Sequence, residues 1–246
     1  MMMNLFSIFD PCTSMNYSLN WLSSMYIIFF FPNLYWFIPS RYNFLFLIIV
    51  NYLLFEFKML LNHKKNTMNI LMLISIFIFI MLNNFMGLFS YIFTSSSHMS
   101  FSLSLSLVLW VSYMLFGWIN NTNHMFIHLV PQGTPTLLMS FMVLIESISN
   151  FIRPGTLAVR LSANMIAGHL LMTLISSTGT SLSIILLLLM LLSQSVLIVL
   201  ELSVSIIQAY VFTVLSTLYS SETSYEKILS TISFSNFKSL TYFNFF

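Results

Sequence analysis

The chain alternates long apolar stretches with short polar breaks, and the stretches are long enough to cross a bilayer. A membrane-spanning helix needs about 20 consecutive apolar residues. Leu19 to Ile38 supplies such a run, interrupted by Pro32 and Asn33 and ended by Pro39, Ser40 and Arg41. It predicts an early transmembrane helix over 19–38. Phe44 to Phe55 is apolar but shorter, and Glu56, Lys58, His63, Lys64 and Lys65 follow it. That segment reads as interfacial. Further membrane helices are predicted over 68–93 and 101–118, separated by a loop over 94–100. Within the second, FSLSLSLVL alternates Ser with Leu, which is a strand pattern. Lipid admits only helices or closed barrels, and nothing else here has barrel character. Serine bonds back to its own helix, so a helix is predicted. Asn120 to Pro135, rich in Asn, Pro and Gly, reads as a loop.

Two segments of about 40 residues come next, over 136–176 and 181–219. As helices each is about 60 Å long, whereas the hydrocarbon core is about 30 Å thick. They must tilt steeply, bend or leave the core, and a steeply tilted helix needs a partner surface. The pattern predicts an all-α polytopic membrane protein of five to six helices. It forms one membrane domain over 1–222, with a tail over 223–246 whose role is unassigned.

Composition narrows the classes. Charged residues make up 6% and hydrophobic residues 58%, whereas soluble proteins carry about 25% charge. This excludes a cytosolic enzyme, a disordered chain and a nucleic-acid-binding domain. The net charge of +2 implies no acidic partner. A single cysteine, Cys12, excludes an intramolecular disulfide and Cys-based metal centres. The start, MMMNLFSIFDPC, has neither a basic n-region nor a cleavage site, and it is not Arg-rich. Neither a signal nor a transit peptide is expected. The bias towards Phe and Met over Gly matches an AT-rich genome, as in an organelle.

The charges that matter lie inside the two long helices: Glu146, Arg153, Arg160 and Glu201. A charge in a membrane helix costs about 2.5–3.5 kcal/mol even on the lenient scale. On an ideal helix, relative to Arg160, Glu146 falls at about +40°, Ser149 at about −20°, Arg153 at about +20° and Asn164 at about +40°. Relative to Glu201, Gln194 falls at about +20°, Ser205 at about +40° and Gln208 at about −20°. Each helix thus carries one polar stripe. The plain reading is that the stripes satisfy each other across a helix pair. Arg160 argues against it, because arginine keeps its charge in any protein environment. A buried glutamate, by contrast, can shed its charge by taking up a proton. A fixed cation beside protonatable carboxylates is the equipment of a proton path.

His169 lies about 180° from Arg160, facing away from the stripe, where a neutral hydrogen-bonded histidine is the default. His124 and His128 have the i, i+4 spacing of metal ligands but no acid or cysteine nearby, so no metal site is expected. Bis-histidine haem needs facing His pairs on membrane helices, and only His169 sits inside a long apolar helix.

Three segments carry a resemblance: LAVRLSANMIAGHLL over 157–171, LELSVSIIQAYVFTVLSTLYSSE over 200–222 and HLVPQGTPTLL over 128–138. Together they resemble subunit a of the rotary (F-type) ATP synthase, in its mitochondrial form. The likeness covers roughly residues 69–222; the first 65 match only in having an early spanning helix. The resemblance implies two long, strongly tilted helices forming a hairpin against a ring of c subunits. It implies a proton-conducting stator subunit of the mitochondrial inner membrane, organelle-encoded and without bond chemistry of its own. Its two offset half-channels would serve the c-ring carboxylates. Arg160 matches the essential arginine. Asn164, His169, Glu201 and Gln208 match the inlet side, and Glu146 and Ser149 the exit side. Arg153 matches no essential position. The implied partners are the c-ring, the peripheral stalk, other membrane subunits and lipid, cardiolipin included. No nucleic acid, cofactor, metal or small-molecule substrate other than protons is implied. Two other classes stay open: a quinone- or haem-linked redox subunit, and a structural scaffold whose polar stripes only join helices.

Overall fold

Backbone amides find no partner in lipid, so apolar stretches close their hydrogen bonds within helices. The computed structural model describes residues 5–13, 17–30, 32, 37–61, 67–89, 91–120, 122–130, 138–179 and 183–224. Among these the regular elements are helical: α1 (Ile27–Phe30), α2 (Arg41–Leu61), α3 (Thr67–Gly87), α4 (Met99–Asn120), α5 (Thr122–His128), α6 (Met139–Thr178) and α7 (Ile184–Ser224). Short 3-10 turns occupy Leu5–Phe9, Leu19–Met25 and Ser95–Ser97. Five stretches are long and apolar enough to cross a membrane: Arg41–Leu61, Asn69–Gly87, Met99–Asn120, Met139–Thr178 and Ile184–Thr223. The protein is an all-α polytopic membrane protein.

The N-terminal third differs from expectation. The described part of 19–38 is a 3-10 turn and a single α turn, not one spanning helix. The first long apolar helix is instead α2, which extends the stretch expected to be interfacial in both directions. Its charges sit at the ends: Arg41 opens it, and Glu56 and Lys58 lie in its last turns. Glu56 accepts a hydrogen bond from the Tyr210 hydroxyl of α7 at 3.3 Å. A lysine near a helix end can run its stem along apolar surface and leave its amine in water. The loop expected over 120–135 contains α5, and residues 131–137 lie outside the described residues. So do the lysines at 64 and 65 and the tail over 225–246.

The Ser–Leu alternation lies in α4, where Ser102, Ser104 and Ser106 donate to the carbonyls of Met99, Phe101 and Leu103 at 3.2, 2.8 and 3.2 Å. Helix α4 packs against α6, α3 packs against α7, and α2 closes on both α3 and α7. The core follows helical spacing. Leu53, Phe57 and Leu61 line one face of α2; Ile70, Leu73, Ile74, Phe77 and Ile78 line one face of α3. Against lipid these contacts gain no transfer energy from water; close van der Waals packing and polar contacts hold the helices together. The packed half of α7 meets that need with small side chains. Ser205, Thr213, Ser216, Thr217, Ser220 and Thr223 are all buried along it.

Helices α6 and α7 have 40 and 41 residues. They pack on each other. From Ile184 to Leu200 almost every large side chain of α7 is uncovered, whereas from Glu201 onward the helix is packed.

Candidate functional site

The seam where α6 meets α7 is polar on both sides. Asn164 and Gly168 are four residues apart and share a face of α6; Glu201 and Gln208 are seven apart and share a face of α7. The Asn164 amide donates to Gln208 Oε1 at 2.9 Å. Ser205, buried between Glu201 and Gln208, turns its hydroxyl back to the Leu202 carbonyl at 2.8 Å.

Glu201 is only 9% exposed. Neither carboxylate oxygen has a hydrogen-bond partner among the described residues. The room for it comes from Gly168, where a Cβ would stand 2.5 Å from Glu201 Oε1 and 2.9 Å from the carboxyl carbon. Beside it, the His169 imidazole engages the Gly87 backbone, while its Nε2 has no partner among the described residues. A cavity of about 230 Å³ lies against Asn164, Gly168, His169 and Glu201. His169 also lines a larger cavity, about 860 Å³, which reaches Gln194, Asn20 and Asp10.

A second polar cluster lies toward the start of α6. Arg153 is 3.4 Å from Glu146 on its own helix and 3.4 Å from Glu222 at the end of α7. Its guanidinium sits over the Tyr219 ring, 5.3 Å from the centroid. The Ser149 hydroxyl donates to the Glu146 carbonyl at 2.8 Å. A cavity of about 30 Å³ adjoins, lined by Asn150, Tyr219 and Glu222 among others. One arginine thus serves two carboxylates in this cluster.

Arg160 belongs to neither cluster. Its side chain is exposed on α6, and the ion pairs among the described residues are both made by Arg153. It lies ten residues after Asn150 and nine before His169, about 15 and 14 Å along the helix.

The family profile described as ATP synthase A chain matches residues 14–221. The chain belongs to the ATP synthase A chain family. Among its relatives, a protein of Locusta migratoria named ATP synthase subunit a is 60% identical over 223 residues, covering 90% of this chain and 99% of that protein. Proteins of the same name from Drosophila melanogaster and Anopheles gambiae are each 58% identical, with the same coverage. As a member of the ATP synthase A chain family, it is a multi-pass subunit of the membrane sector of that complex.

In this family member, Asn164, His169, Glu201 and Gln208 converge on one seam, while Glu146 and Ser149 lie in a separate cluster with Arg153. Arg153, which the resemblance leaves outside the essential set and at the exit or the matrix interface, bridges two carboxylates, Glu146 and Glu222. Glu222 lies beyond the helix expected over 181–219 and has no role in the sequence, although it falls about −60° from Glu201. Asp10 had no sequence signal at all, because it reaches His169's cavity only through the fold of the N-terminal segment.

Proposed function

We propose that this chain is the proton-conducting stator subunit of ATP synthase in the mitochondrial inner membrane, with two offset half-channels serving the carboxylates of a c-subunit ring. The observation that carries the reading is Glu201: a buried carboxylate with no partner among the described residues, against a cavity between two long apolar helices. Structural glutamates in membranes are paired; an unpaired one marks an ion or proton pathway.

Protons enter through the cavity at His169 and pass Glu201, with Asn164 and Gln208 holding the seam polar. They load a ring carboxylate and return on the far side through the cluster of Glu146 and Ser149. Arg160 stands about midway, exposed and without an ion pair among the described residues, which suits a cation meant for a partner's carboxylate. Its permanent charge favours release of the proton from each passing carboxylate and opposes a direct leak between the half-channels. The uncovered face of α7 over 184–200 fits contact with the ring. The chain makes and breaks no covalent bonds; synthesis of ATP belongs to other subunits. The peripheral stalk, neighbouring membrane subunits and lipid such as cardiolipin complete the surroundings.

Arg160→Ala in the reconstituted complex is expected to abolish proton-driven ATP synthesis with the complex still assembled. Retained synthesis overturns the reading. Glu201→Gln, which removes the titrating group, is expected to slow proton flux. A second reading, that the seam only joins helices, draws on the Asn164–Gln208 hydrogen bond. It requires Arg160→Gln to weaken assembly more than transport.

A further inference from the structure

The N-terminal segment packs over the outer end of the α6–α7 seam. Phe9 meets His169 edge-on, with ring centroids 6.4 Å apart. Asp10 follows, its carboxylate accepting from the Cys12 amide at 3.3 Å and its carbonyl from the Asn20 side chain at 3.2 Å. The segment is anchored one turn further on. Trp21 packs on Phe93 and His98 at 5.7 and 5.1 Å, and Ser23 donates to the Phe93 carbonyl at 3.1 Å. Between this wall and α6 and α7 lies the cavity of about 860 Å³, lined by Asp10, Cys12, Asn20, Tyr91, His169 and Gln194 among others. A water molecule takes up about 30 Å³ of the liquid, so the space admits a pool of water rather than a single file.

We propose that the N-terminal turn is the outer wall of the inlet half-channel and that Asp10 is its cation-attracting carboxylate, set at the mouth of a vestibule whose inner end is His169. The proposal rests on the inlet reading given above. The titratable groups on the vestibule wall are Asp10, Cys12, Tyr91 and His169. Asp10 is the one carboxylic acid among them. A charge of one sign at the mouth of a low-dielectric cleft raises the local concentration of counter-ions. Asp10 acts by attraction and does not hand a proton directly to the ring. The inner cavity at Glu201 shares His169 and Leu88 with the vestibule, which makes the two compartments neighbours in one route.

Cys12, the chain's one cysteine, is exposed on this wall and reports on it without an engineered label. The adjacent Asp10 carboxylate already holds its thiol above the usual range, because a thiolate there meets a like charge.

The test uses assembled complexes in sealed vesicles, with Cys12→Ser as the labelling control. A cationic methanethiosulfonate is expected to modify Cys12 about two- to fivefold faster, relative to a neutral one, than in Asp10→Asn. Modification is expected to slow proton-driven ATP synthesis in wild type and leave Cys12→Ser unaffected. Asp10→Asn is expected to lower the synthesis rate about two- to fivefold at low salt. The deficit should shrink toward 1 M salt, where the Debye length is about 3 Å. Asp10→Glu is expected to retain the rate. Labelling without loss of flux, an unreactive Cys12, or a deficit in Asp10→Asn that salt does not alter overturns the proposal. If Glu201→Gln still slows flux in the same preparation, the inlet reading survives that failure. Unchanged flux in Glu201→Gln overturns both.

Discussion

Gly168 matters for what it leaves empty. The carboxylate of Glu201 occupies the place that a side chain at 168 would take, since a Cβ there would stand 2.5 Å from Oε1. An alanine therefore pushes Glu201 out of its cavity or forces α6 and α7 apart, and overpacking of this kind costs about 1–3 kcal/mol. Because each 1.36 kcal/mol is tenfold in a rate, Gly168→Ala is expected to reduce proton-driven ATP synthesis about tenfold with the complex assembled. The second change, Glu201→Asp, withdraws the carboxylate by one methylene and should restore part of the rate. A double variant no faster than Gly168→Ala would assign the defect to the backbone rather than to Glu201. The polar identity of Glu201 was legible from its stripe, and that of Asn164 and Gln208 likewise. The Gly168–Glu201 contact was not, because helical spacing orders residues on one helix and says nothing of the register between two.

Among the helices, α3, α4, α6 and α7 lie along apolar runs, whereas the region before them does not follow its hydropathy. A run such as Leu19–Ile38 has the composition of a span, yet its described part takes a 3-10 turn and a short α turn. Helix α2 outruns its apolar stretch because Glu56 and Lys58 lie within its last turns. The partner that accommodates Glu56, Tyr210, lies 154 residues away. The packed half of α7 shows a further property that composition hides. Thr217 is fully buried, and its hydroxyl donates to the Val214 carbonyl of its own helix at 2.7 Å. Removing that hydroxyl orphans no group on a neighbouring helix, so size rather than polarity decides the outcome. Thr217→Val is expected to leave the thermal stability of the purified complex within about 0.5 kcal/mol, and Thr217→Leu to cost about 1–3 kcal/mol by overpacking. Equal losses in the two variants would show that the hydroxyl has a partner outside this helix.

At the scale of the whole molecule, the polar clusters of α6 and its contacts with α7 form two sets, one with Glu146 and Arg153 and one with Asn164 and Glu201, separated along α6 by apolar wall and Arg160. Asn150 and His169 are 19 residues apart, about 28 Å of helix, close to the roughly 30 Å of hydrocarbon. An upright helix would hold the two cavities at opposite faces of the membrane. A tilted one displaces them sideways as well, which is the offset that the proposed route around a ring requires. On the proposed proton route, continuous water between the clusters would short-circuit the gradient, so that route requires the stretch from Asn150 to His169 to stay closed around Arg160. Leu157, Ala158 and Leu161, buried on the inner side of α6, supply that closure. The arrangement makes a prediction independent of turnover. On a Cys12→Ser background, Gln194→Cys, on the vestibule side, is expected to react with an impermeant thiol reagent from one face of sealed vesicles only. Asn150→Cys, beside Glu222 and Tyr219, is expected to react from the opposite face only. Failure of each to react with reagent confined to the other side would place the two cavities on separate aqueous phases. Labelling of both from the same face would mean that α6 and α7 expose both clusters to one compartment, and a chain arranged that way has no means of turning a transmembrane proton gradient into rotation.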